Sequence, residues 1–234
     1  MDILTKRSPG RPRDESLTAR RQEEILDAAA RIFAKVGFAD ADLQVVADEL
    51  GVSKGTLYHY FPSKRELFLA CADWGMRRLK EQVESGVAGL DDPLLKVAEA
   101  LRLYFAFFDA NPEFVELLIQ ERAAFKDRKK PTYLEHCEAN IAPWQALFRG
   151  LIGEGRVRDI PVEQITDVMS NLAYGTIFMN FFAGRHKSLE GQTQEILDII
   201  FNGILTGAEH STNRTSRGGE TIKAGAPWNV PPER

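Results

Sequence analysis

Apolar residues recur at three- and four-residue spacing along most of the chain, the period of an α-helix packed on one face. From Arg20 to Val36 the buried stripe reads Ile25, Ala28, Ala29, Ile32, Phe33 and Val36, and Gly37 stops it. A shorter helix is predicted from Leu43 to Leu50. Gly51 supplies a turn, and Ser53 stands where it can cap a second short helix bearing Lys54, Thr56, Tyr58, His59 and Tyr60. Pro62 and Ser63 open a long helix that carries Leu67, Phe68, Cys71, Trp74, Leu79 and Val83 as far as Gly86. Glu66, three residues after Ser63, completes a capping box. Five further helices are predicted near 92–109, 112–126, 131–154, 161–184 and 189–207. They are punctuated by Asp91-Asp92-Pro93, Asn111-Pro112, Pro131, residues 153–161 and Gly184. No strand-like alternation competes, so the expectation is an all-α protein of about nine helices.

Two short helices joined by a tight glycine turn form a helix-turn-helix, whose second helix enters the major groove of DNA. A structural helical hairpin would share that outline. The second helix argues against it: Leu57 and Phe61 can seat one face, while Lys54, Thr56, Tyr58, His59 and Tyr60 present donors on the rest. Gly55 leaves room for close backbone approach. Lys64 sits at a helix start, where a cation opposes the macrodipole and a neighbouring phosphate would account for it.

The run from Gly51 to Leu67, G-V-S-K-G-T-L-Y-H-Y-F-P-S-K-R-E-L, resembles the signature of the TetR family of bacterial transcriptional regulators. Residues 30–38, A-R-I-F-A-K-V-G-F, resemble the same family's first helix. The resemblance spans about residues 21–70. It implies that Lys54 and Thr56 meet base edges or phosphates, that Tyr58, His59 and Tyr60 contact the DNA backbone and one base, and that Lys64 grips a phosphate. Gln44 occupies a contacting position, and Leu57 and Phe61 anchor the reading helix. The chain departs from the family at Ala41-Asp42, where Thr or Ser is usual. Asp42 can still cap the helix, but a carboxylate cannot help a phosphate contact.

Four segments follow: a flexible basic arm over 1–19, a helix-turn-helix DNA-binding domain over 20–66, a helical ligand-binding and dimerisation domain over 67–209, and a disordered tail over 210–234. In the arm, Pro9-Gly10-Arg11-Pro12-Arg13 resembles a minor-groove AT-hook as much as a solvated tail. Net charge is −4, yet residues 1–80 hold 14 Lys and Arg against 12 Asp and Glu, which places the basic excess with the helix-turn-helix. The longest near-apolar run, Leu172 to Gly184, is 13 residues and contains Asn180, too short for a membrane span. No secretory pattern is evident, and two cysteines make no disulfide framework, so a cytoplasmic protein without membrane association is expected.

A helix-turn-helix needs only about 50–60 residues, so the remaining helices must dimerise, sense a ligand, or both. Paired reading helices suit a palindromic double-stranded operator. Ile165, Val168, Leu172, Gly175, Met179 and Phe182 form one candidate homodimer stripe. Ile196, Ile199, Ile200, Gly203, Ile204 and Gly207 form the other; the resemblance implies an intermolecular four-helix bundle. Aromatic density between helices points to a small-molecule effector, apolar or aromatic, lined by Trp74, Tyr104, Phe108, Trp144 and Phe178. His136 and Glu138 are candidate polar groups for that site. Repression is what the resemblance implies. The alternative is a DNA-binding regulator without a ligand, governed by a partner protein or by redox chemistry at Cys71 and Cys137. No cofactor, no metal spacing and no catalytic constellation is found. His136 and Cys137 are adjacent on a helix and diverge, so an enzyme is not expected.

Overall fold

The computed structural model describes residues 15–184 and 189–204, with side chains placed over 16–184 and 191–202. Among the described residues there are nine helices and no strand. They are α1 (Glu15–Asp40), α2 (Leu43–Glu49), α3 (Lys54–Tyr60), α4 (Lys64–Val87), α5 (Pro93–Ala110), α6 (Pro112–Ala124), α7 (Thr132–Gly153), α8 (Val162–Ala183) and α9 (Leu189–Ile204). The Pro9 to Arg13 motif, Gly207, the expected tail and the side chains of Gly203 and Ile204 lie outside the described residues.

Every predicted helix forms, and the local signals that bound them operate. Gly37 (φ 85°, ψ 157°) interrupts α1. Ser53 accepts from the Thr56 N–H at 3.1 Å, and Ser63 from the Glu66 N–H at 3.1 Å. Gly51 takes φ +65°, a left-handed turn that other residues rarely adopt. One boundary moves. The first helix starts at Glu15, five residues before the periodic stripe, so residues 15–19 are helix and not arm. No glycine or proline lies between Pro12 and Gly37, and the acidic Asp14 and Glu15 favour a helix start; apolar periodicity does not register such a polar first turn.

The described core is one continuous cluster from α1 to α9, with a smaller one beside it. Phe33, Leu57, Phe68, Phe105, Phe107 and Leu117 are among its buried members. Helix α4 serves both ends of the molecule. Near its start, Leu67, Phe68 and Cys71 are buried in the core with residues of α1; one turn further, Trp74 meets Phe114 of α6 at 5.8 Å between ring centroids. The smaller cluster holds Val97, Phe148, Leu151, Val157, Val162 and Ile165.

Candidate nucleic-acid interface

Helix α3 is seated by Leu57, which is fully buried, and by Phe61, which packs on the core from the C-cap. Tyr58 and His59 are exposed. Tyr60 is half-buried against the core, so its ring is partly an anchor. Thr56 lies 3.0 Å from Ser53 Oγ through its own hydroxyl, which fixes its rotamer at the helix entry. A Cβ built on Gly55 would meet only Ser53 Oγ, at 3.6 Å, so the fold itself does not demand glycine there.

The expected cations are already engaged. Lys54 Nζ lies 2.9 Å from Asp42 Oδ1, twelve residues back. The same oxygen caps α2 by accepting the Gln44 N–H at 2.9 Å. The Gln44 N–H, and then the Lys54 ammonium, hold the Asp42 carboxyl below the usual range, and Asp42 raises Lys54 in turn. The Gln44 side chain donates to Asp48 Oδ1 at 2.7 Å. Lys64 Nζ donates to the Ala39 carbonyl at 2.8 Å and lies 5.1 Å from the Phe38 ring centroid. Its placement at a helix start thus has an internal explanation, the Ala39 carbonyl and the Phe38 ring, and does not require the expected phosphate. Arg31 of α1 bridges Asp27 and Glu49 (2.6 Å to Glu49), bracing α2. Sequence reasoning missed Arg31 and the Asp42–Lys54 pair because neither cross-helix pair has a helical spacing.

An exposed, donor-rich helix held at a glycine turn against a buried seat is a helix-turn-helix, the element that places its second helix in a DNA major groove. Residues 25–71 match the family described as bacterial regulatory proteins, tetR family. Over that segment the chain is similar to the bacterial regulators of that family. It is 30% identical over 109 residues to the transcriptional activator FasR of Mycolicibacterium smegmatis, spanning 47% of this chain and about half, 48%, of that protein. It is 24% identical over 199 residues to the transcriptional repressor KstR2 of Rhodococcus jostii, covering 82% of this chain and 95% of that one. The fold matches that of the fatty acid degradation regulator FadR from Bacillus halodurans, with a TM-score of 0.68 at 15% identity over 78% of this chain and 95% of that one.

Away from the helix-turn-helix, aromatic rings form a connected path. Trp74 meets Phe114, Phe114 stacks on Phe107 at 5.7 Å, and Phe107 meets Phe108 at 5.4 Å. Phe108 meets Tyr104 at 5.1 Å, whose hydroxyl lies 3.0 Å from that of Tyr133. Tyr133 meets Tyr174 at 4.5 Å, and Tyr174 meets Phe178 at 4.3 Å. Four of the five expected lining residues thus share one path. Trp144 does not; it packs on the smaller cluster around Phe148 and Leu151. His136 and Glu138 also turn elsewhere: His136 Nε2 lies 2.8 Å from Asp73 Oδ1 of α4, and Glu138 pairs with Lys130 at 2.6 Å. Polar atoms on the path include the Tyr104, Tyr133 and Tyr174 hydroxyls and the Trp74 indole N–H, with Cys137 beside Tyr133. Burial pushes the Tyr104 and Tyr133 hydroxyls and both thiols up, so Cys71 and Cys137 stay protonated. The thiolate is the reactive form, which opposes redox control.

The expected dimer stripes divide. Leu172, Met179, Val168, Phe182 and Ile199 are exposed, and Gly175 is half-buried. Ile165 and Ile200 are buried in their own chain, and Ile196 packs on the main core. Ile196 and Ile200, four apart, face inward; Ile199 takes the outward position they were expected to hold. A cavity of about 200 Å³ opens on this side, lined by Arg158, Ile160, Val168, Leu172, Ile199 and others. No described helix is long and apolar enough to cross a membrane, and no described cluster of His, Cys, Asp or Glu could hold a metal.

Proposed function

We propose that the chain is a dimeric repressor, released from a palindromic operator by a small, mainly apolar or aromatic molecule that carries one hydrogen-bonding group. The connected aromatic path from Trp74 to Phe178, with the Tyr104–Tyr133 hydroxyl pair in its middle, is the observation that carries the ligand reading. Apolar cavities with a few placed polar groups are typical small-molecule sites. Gln44, Lys54, Gly55, Thr56, Tyr58, His59, Tyr60 and Lys64 are the proposed DNA contacts. Exposed Val168, Leu172, Met179, Phe182 and Ile199 support a two-fold interface on α8 and α9, since contiguous apolar patches mark association sites. The repressor role of the Rhodococcus jostii relative KstR2 supports repression.

Helix α4 connects the proposed sites. Its first turn carries Lys64 against α1, and its middle carries Trp74 and the Asp73 that His136 of α7 holds. A ligand that shifts this helix changes the spacing of the paired reading helices. A 100-fold loss of operator affinity needs about 2.7 kcal/mol of differential binding.

Selecting DNA from a random pool with the full chain tests the reading. A palindromic consensus, bound by a dimer in sedimentation, is expected. Apolar aromatic compounds titrated against that complex should then release it. A consensus with no two-fold symmetry, or a monomer on the DNA, would overturn the dimeric repressor.

A further inference from the structure

Asp42, at the entry to α2, does two jobs at once. One oxygen, Oδ1, accepts the Gln44 N–H that starts α2 and lies 2.9 Å from Lys54 Nζ. The capping bond fixes the carboxylate, so the lysine is drawn to a set point and not merely to a floating counter-ion. Lys64 is close enough to act on the same carboxylate through space. Two cations expected to meet DNA therefore surround one anion.

Asp42 offsets part of the charge of Lys54 where it stands. A lysine that neutralises a phosphate releases counterions and adds about 0.9 to the slope of log K against log salt. A lysine paired with a carboxylate adds little, and the carboxylate also repels phosphate. The ammonium keeps donors to spare, because it carries three hydrogens and Asp42 takes one. A lysine held this way suits a pair of acceptors on one base edge, such as N7 and O6 of guanine.

We propose that Asp42 is a positioning residue that withholds Lys54 from the phosphate backbone and presents it to a base edge, trading affinity for arbitrary DNA against sequence discrimination. This rests on the DNA-binding reading of α2 and α3.

The test uses the full chain, a labelled duplex of random sequence, and a range of salt concentrations. Asp42→Thr keeps a capping hydroxyl and removes the charge. It should bind the random duplex more tightly, with a slope steeper by about 0.9. In the Asp42→Thr background, Lys54→Gln should take the gained 0.9 back and return the native slope. The preference for DNA selected by the native protein over random duplex should fall in Asp42→Thr and in Lys54→Gln. If the Asp42→Thr/Lys54→Gln double variant is instead flatter than the native chain by about 0.9, the lysine already serves a phosphate and the proposal fails. It fails too if Asp42→Thr shares the native slope and discrimination, since Asp42 is then only a cap. A native protein that binds no duplex at low salt sinks the DNA-binding reading itself, a different result from either.

Discussion

Arg65, on the first turn of α4, reaches Asp127 in the loop after α6: its guanidinium lies 2.5 Å from Asp127 Oδ2 across 62 residues of sequence. The same guanidinium stands 4.8 Å from the Phe125 ring centroid. Phe125 is buried between Phe38 at 4.7 Å and Phe68 at 5.3 Å. The loop that joins the two middle helices thus ends as a wedge under the helix-turn-helix. It offers a second contact, besides α4, through which a change among α6 and α7 would reach the DNA-binding end.

Phe125→Ala is expected to lower unfolding free energy by about 3–5 kcal/mol, the usual result of emptying a buried aromatic site. Phe125→Leu should cost less, because most of the volume remains. Denaturant midpoints at constant m-value measure both. A loss below 1 kcal/mol for the alanine variant would show that the ring is not a wedge.

The ion pair carries a pH signature. Arg65 holds the Asp127 carboxyl below the usual carboxylate range. A depressed folded-state pKa stabilises above the unfolded value, about 3.9, and that contribution disappears as pH falls through the lower, folded one. The native protein should therefore be slightly more stable than Asp127→Asn at pH 7, with the gap narrowing below about pH 4. A gap that stays constant with pH would assign the difference to something other than the charge. Asp127 is exposed, so the gap is small.

Gly55 and Gly75 separate two reasons for a glycine. At Gly75 an added Cβ would clash with the Phe114 ring, which meets Trp74 edge-on and stacks on Phe107. Gly75→Ala should destabilise by about 1–3 kcal/mol, the range for overpacking, and a second change of Phe114→Leu should return part of it. At Gly55 the protein leaves the space open. Gly55→Ala should leave the thermal midpoint unchanged or slightly raised, yet weaken duplex binding by about tenfold or more if DNA approaches that backbone. Equal binding by the alanine variant would remove Gly55 from the interface.

Tyr104→Phe removes one member of the hydroxyl pair and leaves Tyr133 with Cys137 as its remaining partner. The expected loss of stability is about 0.5–1.5 kcal/mol, the net worth of one hydrogen bond. The companion Tyr133→Phe/Tyr104→Phe double variant should be closer to the native stability than the sum of the single changes, because both changes remove the same hydrogen bond. Strict additivity in that cycle would mean that the two hydroxyls act independently.

The helices, their order and most of their ends were legible in the chain itself, because they depend on neighbours three or four residues apart. Ser53, Ser63 and Asp42 cap within three residues of their own position, and Gly37 and Gly51 turn the chain by their own backbone freedom. The reading helix was legible for the same reason: a short segment with only Leu57 and Phe61 to bury must show its other side chains to something. Which apolar face turns inward was not legible on α9, where Ile196, Ile199 and Ile200 are equally hydrophobic over more than one face. Nor could aromatic content assign Trp144 to the smaller cluster, since burial alone does not say with whom.

What the sequence determined by itself is therefore the local and the periodic: an all-helical chain, its punctuation, and a short donor-rich helix that names its class. Only the tertiary structure decided who neutralises whom. Asp42 with Lys54, Lys64 with the Ala39 carbonyl and Arg65 with Asp127 join residues 12, 25 and 62 positions apart. Charge and hydrogen bonding act through space at about 3 Å, and only a folded backbone brings such distant positions within that reach.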